Sequence, residues 1–152
     1  MTMMKMKIYV GMVVSLCMFS CTKGKQPPSI DYSFNLSSDP VASRVFTELD
    51  GSVKIRVYMT KTDPTASANY FFSHYITQGR GQLFKSTGSL NYEEYKDYPF
   101  FASTTKNKDT LEFKYFPSFT PPFYTVPTTI HFVVNNKHYA DTIVYQTNIS
   151  KR

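Results

Sequence analysis

Residues 69–84 read NYFFSHYITQGRGQLF. From Tyr70 to Thr77 the run is aromatic and β-branched, and Gln78-Gly79-Arg80-Gly81 then supplies two glycines suited to a tight reversal. Gln82 to Lys85 resumes as a short apolar/polar alternation. Such residues fit a pleated, half-buried surface, and glycine bounds such runs, so the stretch reads as strand, turn, strand. It is the densest apolar segment after the N-terminal one, which places it at the centre of a β core. Its first strand is apolar on both faces, as suits the middle of a sheet, and the two strands are expected to pair as a hairpin.

The same period continues on either side. Ile30, Tyr32, Phe34 and Leu36 alternate with Asp31, Ser33 and Asn35. Val53, Ile55, Val57 and Met59 alternate with Lys54, Arg56, Tyr58 and Thr60. Leu111, Phe113 and Tyr115 alternate with Glu112 and Lys114, after a charged polar loop from Thr104 to Thr110. Strict alternation marks half-buried strands. Val41 to Leu49 holds an edge strand or an extended crossover, and Leu90 to Pro99 has no clean period. Pro117 to Pro127 carries four prolines, which cannot donate to a ladder, so it reads as an extended loop. Thr128 to Val134 and His138 to Tyr145 form a last hairpin around Asn135-Asn136, since asparagine tolerates the positive φ of a two-residue turn. Val134 then faces Lys137, and His131 faces Ala140. No helical period runs over ten residues.

These signals predict an all-β chain, an immunoglobulin-like β-sandwich of about seven strands. A small β-barrel is the alternative, because alternation does not decide closure. The expected organisation is a lipoprotein signal peptide over 1–20, a tether over 21–28, the sandwich over 29–147 and a C-terminal tail over 148–152. The chain has 152 residues, 12 Tyr, 13 Phe and no Trp, so Phe and Tyr must carry the core.

Lys5 and Lys7 precede an apolar stretch from Ile8 to Phe19, too short to span a bilayer. Both cysteines, Cys17 and Cys21, lie in or next to it, so the body has no disulfide and no thiol chemistry. Ser20-Cys21 has the form of a lipobox end, a small residue before the cysteine that receives lipid. Cys21 is therefore the candidate lipidation site, and Thr22 to Pro28 reads as a polar, extended tether. No acidic cluster follows Cys21. The formal charge is +6, and removing Lys5 and Lys7 leaves +4, a mild excess that gives no reason to expect nucleic acid.

Reactive chemistry is sparse. His74, His131 and His138 are the only histidines, and no Cys or close acidic group joins them as a zinc set. Glu93, Glu94 and Asp97 form the only acidic knot; adjacent glutamates on a strand face opposite ways, so a solvated loop is expected. Gly79-Arg80-Gly81 lacks the following helix and Lys-Ser/Thr of a phosphate cradle. Neither catalytic residues nor cofactor- or metal-binding residues are identified, and no enzyme activity or cofactor is expected. The aromatics Phe119, Phe123 and Tyr124, set among prolines, are the candidate partner-binding residues, since exposed rings add contact area at little entropic cost.

The sequence also resembles the TraQ family of conjugative-transposon proteins from Bacteroides-like bacteria. The similarity rests on Ser20-Cys21, on the aromatic strand ending Tyr75-Ile76, on Gly79-Arg80-Gly81-Gln82-Leu83, and on Tyr98-Pro99-Phe100 ahead of Leu111 to Phe116. The late strands Thr129 to Val134 and Tyr139 to Tyr145 fall where that family has its last hairpin. The resemblance implies a small, non-enzymatic lipoprotein of the cell envelope, anchored in the membrane by lipid and facing the periplasm. It implies an accessory role in a conjugative transfer apparatus, exercised by binding other envelope or conjugation proteins. From the residues alone, the alternative is a glycan- or other ligand-binding envelope lipoprotein that uses exposed Tyr and Phe.

Overall fold

The computed structural model describes residues 29–152, so the signal segment, Cys21 and the tether lie outside the described residues. Ten strands follow one another: β1 Phe34–Asp39, β2 Arg44–Phe46, β3 Val53–Lys61, β4 Tyr70–Gln78, β5 Gly81–Lys85, β6 Asn91–Tyr92, β7 Tyr98–Phe100, β8 Lys108–Pro117, β9 Thr125–Asn135 and β10 Ala140–Ser150. They form two open five-stranded sheets, ordered β1-β3-β8-β5-β6 and β2-β10-β9-β4-β7. The fold is thus an all-β, immunoglobulin-like sandwich, and neither sheet closes into a barrel. The strand count exceeds about seven because β2, β6 and β7 have only 3, 2 and 3 residues. That is too short for alternation to register.

The expected hairpin of residues 70–85 is not formed. β4 pairs with β9 and β7, whereas β5 pairs with β8 and β6, in the other sheet. Gly79, at φ +84°, turns the chain from one sheet to the other. β5–β6 and β9–β10 are the links between sequential strands that stay within one sheet.

The late hairpin has a longer loop than the two-residue turn expected. Asn135 pairs with Ala140 and Val134 with Asp141, so His131 lies opposite Val144. The Asn136 Oδ1 atom accepts the N–H groups of His138 and Tyr139, each at 2.8 Å, while its own N–H donates to the Tyr139 carbonyl. Asparagine here builds the turn with its side chain rather than with a positive φ. The slip is even, so every side chain keeps its face.

Three boundaries also move. β10 runs to Ser150 with Ile149 fully buried, so residues 148–150 belong to the sandwich and not to a tail. β9 begins at Thr125 and takes in Pro127, which pairs with Asn148 of β10. β4 has already ended opposite Thr129, so Pro127 has no ladder on its other side and its missing N–H costs nothing. β8 likewise begins at Lys108, inside the stretch expected to be loop.

The core follows the alternation. Val53, Ile55, Val57 and Met59 of β3 are buried, as are Phe113 and Tyr115 of β8, Tyr70 and Phe72 of β4, and Ile130, Phe132 and Val134 of β9. Ring contacts join the sheets. Phe113 stacks on Phe132 at 5.1 Å and tilts against Phe72 at 5.1 Å, and Phe34 meets Tyr70 edge-on at 5.9 Å.

Filling a core with tyrosine has a consequence at high pH. The hydroxyls of Tyr70, Tyr115 and Tyr145 are buried without a hydrogen-bond partner. Burial raises all three phenols, Tyr115 to about 12. An unfolded chain ionises these groups from about pH 10, whereas the folded chain holds their protons. Their stabilisation is therefore complete below pH 10 and is lost as pH rises toward 12. Each phenol removes up to about 1.4 kcal/mol of stability per pH unit in that window. Urea unfolding between pH 9 and 12 should show a midpoint that falls steeply above pH 10, with phenolate absorbance appearing together with unfolding. Ionisation of all tyrosines in a still-folded protein would contradict this packing.

Candidate functional site

Two surfaces bear on function. The first is one end of the sandwich. β4 ends and β5 begins there, β8 leaves at Pro117, β9 enters at Thr125 and β10 stops at Ser150. Phe123 and Tyr124 are exposed on the loop between β8 and β9. Phe119 of the same loop turns inward and packs against the core. It lines a groove with Leu49, Phe116, Lys151 and Arg152, while Phe123 lines a separate hollow with Arg80, Thr120 and Pro127. The three aromatics thus gather at one end without forming one continuous patch. Leu49, almost fully exposed, and Phe46, carrying the Arg44 guanidinium at 5.2 Å from its ring centre, extend the apolar surface.

The described chain starts at the opposite end. Tyr32, just ahead of β1, stacks on His138 of the β9–β10 loop at 4.3 Å, and its carbonyl accepts the Asn136 Nδ2–H at 3.1 Å. The 11 residues of β9 separate the two ends, a distance on the order of 30 Å at ~3.3 Å per residue.

The second surface is the outer face around β4, which sequence reasoning passed over. β7 pairs only with Tyr70 to Phe72, so the rest of that edge of β4 has no partner strand. Residues 93–97 cover it instead. The Glu94 Oε2 atom accepts the Ile76 N–H at 2.9 Å, and the Tyr95 N–H donates to the His74 carbonyl at 2.9 Å. The acidic knot is accordingly divided. Glu94 caps the edge, Glu93 pairs with Lys96 at 2.9 Å, and Asp97 accepts Asn135 Nδ2–H at 3.5 Å. Nothing in the sequence signals this, because a carboxylate standing in for a strand leaves no period.

Tyr95 sits at φ 61°, a left-handed conformation that costs a non-glycine residue about 1 kcal/mol or more. Its ring stacks on Tyr75 at 5.3 Å and 9°, and Tyr75 stacks on His131 at 4.5 Å and 6°. The Thr77 hydroxyl and the His131 Nε2 atom are 3.1 Å apart. The three histidines do not converge: His74 is buried, with burial lowering its pKa, while His131 lies on the outer face and His138 at the end where the described chain begins. Among the described residues no three His, Cys, Asp or Glu side chains come together as a metal set.

Against solved structures, three similar folds stand out. A conjugative transposon lipoprotein from Bacteroides eggerthii aligns with a TM-score of 0.57 at 16% identity, over 76% of this chain and 97% of that one. The chain has the fold of a Bacteroides conjugative-transposon lipoprotein. A conjugate transposon protein from Bacteroides vulgatus (TM-score 0.52, 15% identity, 82% of this chain and 91% of that one) agrees. So does a lipoprotein from Bacteroides thetaiotaomicron (0.53, 15%, 82% and 86%). No protein-family profile and no curated protein matches the sequence. The conjugative-transposon lipoprotein fold is the one implied by the sequence resemblance. Within it, the aromatic end and the Tyr95 stack are the surfaces whose chemistry is not used up by the core.

Proposed function

We propose that this chain is a conjugation-associated lipoprotein of the cell envelope, tethered through Cys21 and acting by binding other envelope proteins rather than by catalysis. The observation that carries the reading is topological. The N-terminal stretch enters at one end of the sandwich, and Phe123, Tyr124, Phe46 and Leu49 are presented at the other. A lipid on Cys21 would join the domain at the end opposite that aromatic surface. Thr22 to Pro28, seven residues, reaches about 23 Å when extended. Acyl chains contribute ~0.8 kcal/mol per buried methylene, and more than one holds a protein on a membrane. Confinement to a surface then raises the local concentration of partners. In this reading the domain faces the periplasm. A non-catalytic role is supported by the dispersal of Glu93, Glu94 and Asp97 onto separate partners and by the burial of His74. On the β3–β8 face the bases Lys54, Arg56 and Lys114 are matched by Glu112, Asp39 and Asp50, so that face offers nucleic acid little to grip.

The test is Cys21→Ala in a donor cell. The variant is expected in the soluble fraction, with transfer frequency lowered at least ~10-fold. Retention in the membrane would refute the anchor. Release without loss of transfer would refute the conjugative role.

A further inference from the structure

The two outer faces of the sandwich differ in chemistry. On β3 and β8 the outward side chains are charged, Lys54 and Arg56 paired with Glu112 and Lys114 paired with Asp50. On β4, β9 and β10 the outward positions alternate with the buried ones. They run Phe71, Ser73, Tyr75, Thr77; then His131, Val133, Asn135; then Thr142, Val144, Gln146, Asn148. The outward positions of these three strands hold no Asp, Glu, Lys or Arg; charged side chains stand only at their borders, Glu93, Glu94, Lys96 and Asp97 beside β4 and Arg44 beside β10. Hydroxyls and amides surround rings, with two valines as the aliphatic part.

We propose that this face binds a neutral oligosaccharide, with the Tyr95–Tyr75–His131 stack as its centre. Three features favour a sugar over a protein. A protein interface buries an apolar core of aliphatic and aromatic side chains, whereas this face is largely hydroxyl and amide. Uncharged groups that both donate and accept match a ring of hydroxyls that does the same. The stack ends in a free ring. Tyr95 packs one face on Tyr75 yet remains 76% exposed, which leaves its other face for the C–H side of a pyranose. The backbone at Tyr95 is held in a conformation suited to glycine, so the ring, rather than backbone ease, accounts for tyrosine at this position. At the tethered end of the same face, Asn69, Phe71, Asp97, Asn135 and Lys137 line an open cavity of about 630 Å³. Phe71 lies four residues before Tyr75 on β4, about 13 Å away. The span suits a short oligosaccharide running along the strand. The site is independent of the lipid anchor and of the aromatic end.

Saturation-transfer NMR on the full chain in dodecylphosphocholine micelles tests this, with chitohexaose, cellohexaose and laminarihexaose as probes. At least one probe is expected to receive saturation and to lose at least ~10-fold in affinity with Tyr95→Gly. Glycine accepts the positive φ, so that variant removes the ring without straining the fold. Tyr124→Ala, at the far end, should bind as the parent does. No saturation of any probe at millimolar concentration overturns the proposal. So does binding that survives Tyr95→Gly, or a face occupied by a second copy or a protein partner that no probe displaces.

Discussion

Phe113→Ala is expected to lower the free energy of unfolding by about 4 kcal/mol, the range for truncating a fully buried phenylalanine. Phe113 is 1% exposed and is where the two sheets lock. It stacks on Phe132, tilts on Phe72 and meets Tyr92 edge-on at 5.7 Å. Those partners sit on strands that pair with other neighbours, so they cannot close the void without breaking their own ladders. Total stabilities of such domains are about 5–15 kcal/mol, so the variant would be near unfolding at body temperature. Urea denaturation of parent and variant gives the difference. A loss under about 1 kcal/mol would mean that the sheets do not meet at this ring.

Gly81→Ala is the second large effect, expected at about 3 kcal/mol, the upper part of the range for overpacking. A methyl at Gly81 would lie 2.5 Å from the Phe116 carbonyl oxygen and 2.5 Å from the Tyr115 hydroxyl. Tyr115 is fully buried and cannot swing away, and the carbonyl belongs to β8, whose next residue, Pro117, pairs with Gly81. For a domain of this size the melting temperature should fall by on the order of 10 °C. Exposed Arg80, one residue earlier, serves as control, and its replacement by alanine should change little. Equal melting of the Gly81 variant and the parent would contradict the close approach of β5 to β8.

These two positions show what was legible in the sequence and what was not. Alternation is local, so the faces of β3, β8 and β9 could be read directly. Which strands share a sheet is not local. Gly79-Arg80-Gly81 serves equally for a hairpin or a crossing between sheets. The decision falls to the fit of Tyr115 against Gly81, residues brought together only by the fold. The late turn shows the same limit, since the Asn136 side chain stands in for backbone and lengthens the loop. Phe119, Phe123 and Tyr124 were grouped by proximity in sequence; Phe119 leaves the group because its ring finds core to cover. Glu94 reads in the sequence only as part of a solvated acidic knot, and Tyr95 gives no signal at all, because both seal a strand edge from a stretch with no period.

The account depends most on the lipid at Cys21, and intact-mass spectrometry of the protein extracted from membranes tests it most directly. The predicted product begins at residue 21 and carries the added mass of a diacylglyceryl group on that cysteine. An unmodified Cys21, whether in an uncleaved chain or in one cut elsewhere, would contradict it.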